Sequence, residues 1–262
     1  MLACSSACLR YNNITHTLRA RSIVVVKPEH RKAKTIAIDG PAAAGKSSVG
    51  LALAQRLGYL FFDTGVMYRA ITLLALEQGV PLDDEEALGV LAETTTIDVQ
   101  PPAGHDDGRY YTVLVGARDI TWALRTPQVD ASVSYVAAHP RVRLALTAQQ
   151  RRIGQRGRVV MVGRDIGTVV MPDADIKFYL DASPEERARR RYDELVARGQ
   201  EADYDAILAD LRERDRLDST RAVAPLRRAP DAIYVDTTGL SRDEVVERLL
   251  DLLGAREEVS SS

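Results

Sequence analysis

The chain has 262 residues, 45% of them hydrophobic, 27% charged and only 5% aromatic, a composition that excludes disorder throughout and is long enough to bury a large core. No apolar run approaches the ~18 residues of a membrane span, the start lacks the apolar stretch of a secretory signal, and the two cysteines, Cys4 and Cys8, leave the body without a thiol for catalysis, metal binding or crosslinking. Net charge is −2 overall but +5 over residues 1–33, so the remainder carries −2 − 5 = −7, which argues against a non-specific nucleic-acid binder and for any bound phosphate being small and locally caged.

Residues 1–33 combine Arg10, Arg19, Arg21, Lys27, Arg31 and Lys32 with a single acid, Glu29. This leader overlaps in composition with organellar transit peptides, and it also fits a disordered extension or an overcalled start. From Lys34 onward strands and helices alternate. Thr35–Asp39 is a short β-branched apolar run, and Lys46–Leu57 has helical spacing through Val49, Leu53 and Leu57. Gly58 ends that helix, Tyr59–Phe62 reads as the next strand, and Thr64 is positioned to cap a helix over Gly65–Gln78. Asp83 and Asp84 open a short helix to Leu91. Ile97–Gln100, Tyr110–Val115 and Arg118–Thr121 are spaced as an antiparallel ribbon inserted into the parallel pattern. Thr126-Pro127 starts another helix, and Pro140 separates it from one running to about Gly154. Val159–Val162 and Ile176–Leu180 are compact buried strands. Ser183-Pro184-Glu185-Glu186 is a capping box opening an arginine-rich helix to about Arg198, followed by a helix from Tyr204 to about Ser219. Ala232–Val235 is a last strand, Ser241 and Glu244 cap a final helix to Leu253, and residues 254–262 are expected to form a flexible tail. This alternation predicts an α/β fold with a parallel sheet covered by helices on both faces.

The strongest chemical signal is Gly40-Pro41-Ala42-Ala43-Ala44-Gly45-Lys46-Ser47-Ser48, a G-x-x-x-x-G-K-[ST] phosphate loop set between a predicted strand and a predicted helix. Its backbone N–H groups and the helix N-terminus can cradle polyphosphate oxygens. Lys46 can reach the β and γ phosphates, and Ser47 can face Mg²⁺. The loop alone leaves GTPases, motors and kinases open. A guanine-reading N-K-x-D motif is excluded, however, because the only asparagines are Asn12 and Asn13, and no transporter signature is present. Three further constellations point to a second phosphate. Tyr68 and Arg69 lie one helical turn beyond Thr64. Arg164-Asp165 sits between Gly163 and Gly167 directly after a buried strand. Arginines crowd the last helices, namely Arg187, Arg189, Arg190 and Arg191, then Arg212, Arg214, Arg216 and Arg221 with Asp215 and Asp218. Guanidinium groups suit the charge spread of a transferring phosphoryl group, although a salt-bridged surface helix accounts for several of them.

GPAAAGKSS, DTGVMYRA, TPQVD, SYVAAHPRVR, GRDIGTVVMPDADIKFYLDAS, EERARRR and RDRLDSTRAVAPL, in that order from Lys34 to Leu253, resemble the bacterial cytidylate kinase (CMP kinase) family in its longer form. The resemblance implies a P-loop core over residues 34–63 and 140–253, a CMP-binding insertion over 64–139, and a helical lid around 187–205. It also implies the reaction ATP + CMP ⇌ ADP + CDP, with dCMP as an alternative acceptor and Mg²⁺ required. Tyr68, Arg69, Arg164 and Arg221 correspond to positions gripping the CMP phosphate. Ser134, Arg143 and Asp165 correspond to those reading cytosine, and Arg214 and Asp218 to those near the sugar. Thr64 belongs to the same acceptor set, and Lys46, Arg164, Arg187 and Arg191 are the expected catalytic cations. The chemistry is consistent: cytosine offers O2 and N3 as acceptors and N4 as a donor, whereas uracil inverts the pattern at N3 and O4, where Asp165 and Arg143 would face the wrong partners. Thr64, where some members carry serine, and Ser48, in place of the commoner threonine, keep the hydroxyl. The expected partners are small nucleotides only, with no nucleic acid or membrane, for a cytoplasmic monomer. A scaffold relative using UMP or a metabolite alcohol, and a non-catalytic nucleotide-binding module, are the rival readings. An acceptor panel separates them.

Overall fold

The computed structural model describes residues 34–102 and 104–259, with side chains up to residue 254, so the readings of the leader lie outside the described residues. Five strands, β1 (Thr35–Asp39), β2 (Leu60–Asp63), β6 (Val159–Val162), β7 (Ile176–Asp181) and β8 (Ile233–Asp236), form one sheet in the order β2-β6-β1-β7-β8. Every pairing is parallel, with Ile36 opposite Val160 on one side and Ile176 on the other. Both faces are covered, which is why these strands read as continuous apolar runs, Val159 to Val162 being buried without a break. Helix α1 (Lys46–Leu57) lies on the Ile38 face, with Gly50 so close to Val162 that a Cβ would come within 2.6 Å of its Cγ2, and α8 (Arg242–Val259) packs beside it. The opposite face carries Asp39 and a short π-helical turn, Ile166–Val170, that stands between β1 and α5 (Pro140–Gly154).

Between β2 and β6 the chain builds α2 (Gly65–Gln78) and α3 (Glu85–Thr94). A three-stranded antiparallel sheet of β3 (Ile97–Gln100), β4 (Thr112–Val115) and β5 (Arg118–Asp119) follows, then α4 (Pro127–Ala138) and α5. Helices α6 (Pro184–Ala197) and α7 (Tyr204–Thr220) pack on each other at the C-terminal edge of the large sheet.

Local signals hold at most ends. Thr126 accepts from Val129 N with Pro127 at the first helical position, and Ser241 and Glu244 exchange both capping hydrogen bonds. Thr64 does not cap α2. Its hydroxyl donates to Val162 O, and Asp63 Oδ1 accepts from Gly65 N instead. The Ser183 box is half formed: Ser183 Oγ accepts from Glu186 N, but the Glu186 carboxylate is taken by Arg189 and Arg190. Asp84 caps α3 without Asp83, and the third ribbon strand is only two residues long before a 3-10 turn over Ala123–Arg125. Helix α8 runs past Gly254 to Val259, since Ala255, Arg256, Glu257 and Glu258 are good helix formers and one glycine costs only ~1 kcal/mol.

Candidate active site

A cleft of about 710 Å³ opens at the C-terminal edge of the sheet, where the phosphate loop, the start of α2, the Gly163–Asp165 segment, α4, α5, α6 and α7 converge. The phosphate loop leaves β1 through Gly40 at φ +146, where a Cβ would lie 1.9 Å from Leu180 O, and enters α1 through Gly45 at φ +85. Both positions demand glycine. Ala43, also left-handed at φ 58, is held there as a non-glycine residue, a strain of ~1–3 kcal/mol of the kind found at functional loops. Its neighbours' carbonyls are pinned from three directions, by Lys46 Nζ on Pro41 O, Arg187 Nη1 on Ala42 O and Thr237 Oγ1 on Ala44 O.

Lys46 is 5% exposed. Burial, reinforced by Arg164, drives its ammonium well below the usual lysine range, while Asp63 and Asp39 pull the other way. Such a group gains most from polyanionic oxygens brought against it. Ser47 Oγ donates to Asp63 Oδ2 at 2.9 Å, a hydroxyl and a carboxylate that make a hard oxygen pair suited to Mg²⁺. Asp63 opens the DTGVMYRA stretch, but the sequence reading gives it no role. Its signal was its place at the end of an apolar strand, one residue before the helix that carries Tyr68 and Arg69.

Opposite the loop lies a web of guanidinium and carboxylate groups. Asp165 and Arg143 are buried and paired at 3.0 Å, with Arg143 stacked over Tyr68 at 5.3 Å and donating to Ala137 O. Asp218 accepts from Arg164 Nε at 2.8 Å and from Arg221 Nη1 at 3.3 Å. Burial raises the Asp218 carboxyl, but Arg164 and Arg221 outweigh it and hold it below the usual carboxylate range. Desolvation, with Arg143 next, lowers Arg221 against the pull of Asp165 and Asp218, and burial pushes the Tyr68 hydroxyl up. Arg143 Nε and Arg221 Nη2 are buried and make no hydrogen bond. Orphaned buried donors of this kind are costly unless something accepts from them.

The structure gathers nearly all the residues singled out in the sequence. Ala42, Ala43, Gly45, Lys46, Ser47, Ser48, Thr64, Tyr68, Arg69, Ser134, Arg143, Arg164, Asp165, Arg191, Arg214, Asp218 and Arg221 line the cleft. Gly40, Pro41 and Ala44, in the same loop, do not line the cleft. Arg69 is turned to Asp130 and to Leu124 O, and Arg191 is paired with Glu194 at 2.8 Å. Arg187 departs from expectation. It does not line the cleft and is 2% exposed, with its guanidinium spent on Ala182 O, Ala42 O and both oxygens of Asp215. Its partner Asp215 sits on the next helix, out of reach of any local spacing signal. In this structure Arg187 fastens the phosphate loop to α6 and α7.

The cleft therefore carries seven cations (Lys46, Arg69, Arg143, Arg164, Arg191, Arg214, Arg221) against four carboxylates (Asp63, Asp165, Glu194, Asp218), in a body that is otherwise acidic. A phosphate loop between β1 and α1 of a parallel sheet, facing a second cationic wall across one cleft, defines a P-loop kinase.

The cytidylate kinase family profile matches residues 36–255. The chain is 50% identical over 224 residues to the cytidylate kinase of Carboxydothermus hydrogenoformans, covering 86% of this chain and 99% of that one. It is 54% identical over 221 residues to that of Chloroflexus aggregans, covering 84% and 94%. Solved structures with similarity include a gluconokinase from Sinorhizobium meliloti 1021 (TM-score 0.45, 18% identity, 88% of this chain and 97% of that one). Another is a shikimate kinase from Acinetobacter baumannii (TM-score 0.44, 18% identity, 86% and 96%). The chain belongs to the cytidylate kinase family.

Proposed function

We propose that the protein transfers the γ-phosphoryl group of ATP to CMP, giving ADP and CDP, and accepts dCMP as well. The observation that carries this reading is the buried Arg143–Asp165 pair, with Ser134 in the lining of the same cleft. Together they offer donors to cytosine O2 and N3 and an acceptor to N4. In this reading Thr64, Tyr68, Arg69, Arg164 and Arg221 surround the acceptor phosphate, Arg214 and Asp218 the sugar, and residues 40–48 the donor phosphates. Residues 64–139 act as the acceptor-binding insertion and residues around 187–205 as a lid.

A phosphate dianion is already a nucleophile, so no general base is needed and His139, whose Nε2 lies 2.8 Å from Leu82 O, is a bystander. Catalysis then comes from alignment and charge neutralisation. Lys46 and Arg164 stand on the two walls between which the transferring group must pass, and Arg191 can reach it from the lid on leaving Glu194. Ser47 and Asp63 would hold Mg²⁺, which when bound neutralises charge on the β and γ phosphates. Excluding water when the lid closes would protect ATP from hydrolysis. No helix among the described residues is long and apolar enough to cross a membrane, and we place the enzyme in the cytoplasm as a monomer. Steady-state assays of the purified protein with ATP and CMP, dCMP, UMP or AMP, detecting ADP, test the reading. Turnover with CMP and dCMP well above UMP is expected, and equal or greater rates with UMP overturn it.

A further inference from the structure

Asp39, the last residue of β1, has no place in the mechanism above, yet it is a carboxylate only 3% exposed beneath the phosphate loop. Its oxygens are taken by backbone donors. Ile166 N donates to Oδ1 at 2.8 Å and Gly167 N to Oδ2 at 2.7 Å. These are the first N–H groups of the π-helical turn, the ones a helical segment leaves without an internal partner. The residue at the cap position of that turn is Asp165, and aspartate there ordinarily folds back to accept from such donors. Asp165 makes no capping hydrogen bond. Its carboxylate reaches away to Arg143, at 3.0 Å, and to Arg221, at 3.7 Å.

We propose that Asp39 is a positioning residue that caps the Ile166–Val170 turn from a neighbouring strand, thereby freeing the Asp165 carboxylate to face the acceptor base. Deprived of Asp39, the two N–H groups become orphaned in the interior, and Asp165, at the cap position of the same turn, is the carboxylate placed to accept from them. Turned inward, Asp165 leaves Arg143 and Arg221 and can no longer accept from an exocyclic amine. The phosphate loop does not depend on this contact, since Lys46, Arg187 and Thr237 hold its carbonyls. Loss of Asp39 therefore falls chiefly on the acceptor, the donor side losing only a nearby charge that acts on Lys46.

Protonation does in part what substitution does, because a neutral carboxyl presents one acceptor oxygen fewer. Burial raises Asp39 to about 6 against the two N–H bonds, with Asp165 adding to the rise and Lys46 opposing it. From β7, Lys177 lies against Gly167, and the Tyr179 hydroxyl feels the Asp39 charge.

The inference rests on the assignment of Asp165 to the acceptor, and the experiment separates the two. Asp39→Asn keeps the volume and one acceptor oxygen. It is expected to raise KM for CMP, and to lower the CMP over UMP ratio of kcat/KM, by ~10-fold, the size of one charge-assisted hydrogen bond, with a smaller change in KM for ATP. The wild-type to D39N ratio of kcat/KM for CMP, in which ionisation of the CMP phosphate cancels, should be near one well below pH 6 and rise to a plateau well above it. Gly167→Ala, whose Cβ would stand 3.3 Å from Asp39 Oδ2 and 3.1 Å from Lys177 Cδ, should weaken CMP in the same way and carries the test if D39N does not fold. Asp165→Ala is the control. If it weakens CMP while D39N and G167A leave KM and the base preference intact, or if the D39N ratio is flat with pH, the positioning role is wrong. If Asp165→Ala also leaves CMP unaffected, the acceptor assignment has failed first and the inference falls with it.

Discussion

Replacing Asp165 with alanine perturbs stability and base selection by amounts that differ in kind. The Asp165 and Arg143 side chains are 8% and 4% exposed and 3.0 Å apart, and Arg221 lies 3.7 Å away on the other side. Removing the carboxylate leaves two guanidinium groups without the charge between them. Breaking a buried pair by deleting one partner costs ~3–5 kcal/mol, a large share of the ~5–15 kcal/mol that holds a domain together. At ~2–4 °C per kcal/mol for a chain of this size, the ligand-free protein should melt roughly 6–20 °C lower. The catalytic effect is separate. In the proposed reading Asp165 accepts from cytosine N4, so its loss removes a hydrogen bond to a charged group worth ~1.5–3 kcal/mol, or ~10- to 150-fold in CMP over UMP preference. Asp165→Asn keeps the volume and can present its amide N–H to uracil O4, so it should retain more stability than alanine while shifting preference at least as far toward UMP. Melting curves with and without CMP, and kcat/KM for both acceptors with ADP detection, measure the two effects independently. A lowered melting temperature with an unchanged CMP over UMP ratio would refute the base-reading role and leave Asp165 a purely structural residue.

Lys46→Ala should lower kcat by ~10²-fold or more, the usual consequence of deleting a preorganised charge donor; near-normal turnover in a steady-state assay would remove Lys46 from the transition state. Arg187→Lys cannot reproduce the forked contact to Asp215 together with the bonds to Ala42 O and Ala182 O. It should lose ~1.5–3 kcal/mol of stability and raise KM for ATP through a loosened phosphate loop, both absent if the side chain is a mere surface ion pair. Asp39 sets a pH signature in folding. Its carboxyl is raised from 3.8 to about 6 in the folded state, so the neutral form is favoured there and stability falls as pH rises between those values. At ~1.4 kcal/mol per pH unit, ionised Asp39 costs ~3 kcal/mol. Urea unfolding at pH 4 and pH 7 should therefore show wild type losing about that much relative to D39N; a difference that does not change with pH would mean the carboxylate is not desolvated.

The residue order determined a good deal unaided. Gly40 to Ser48 between an apolar strand and an amphipathic helix pointed to a phosphate loop, because few other structures need glycine at those positions followed by lysine and a hydroxyl. Continuous apolar runs such as Val159–Val162 announced strands buried on both faces, and Thr126-Pro127 and Ser241…Glu244 announced helix starts, since caps and periodicity are local properties of a few adjacent side chains. Tertiary structure decided everything that depends on partners distant in the chain. The Thr64 hydroxyl found Val162 O, 98 residues on, instead of its own helix. Arg187 found Asp215 and the back of the phosphate loop, partners that its position in an arginine-rich helix did not announce. The π-helical turn after Asp165 has no periodic signature in five residues, and what caps it sits 127 positions earlier at Asp39. Which carboxylate faces a substrate and which is spent on backbone is settled by how buried donors compete for acceptors across the sheet, and that competition is invisible until the strands are side by side.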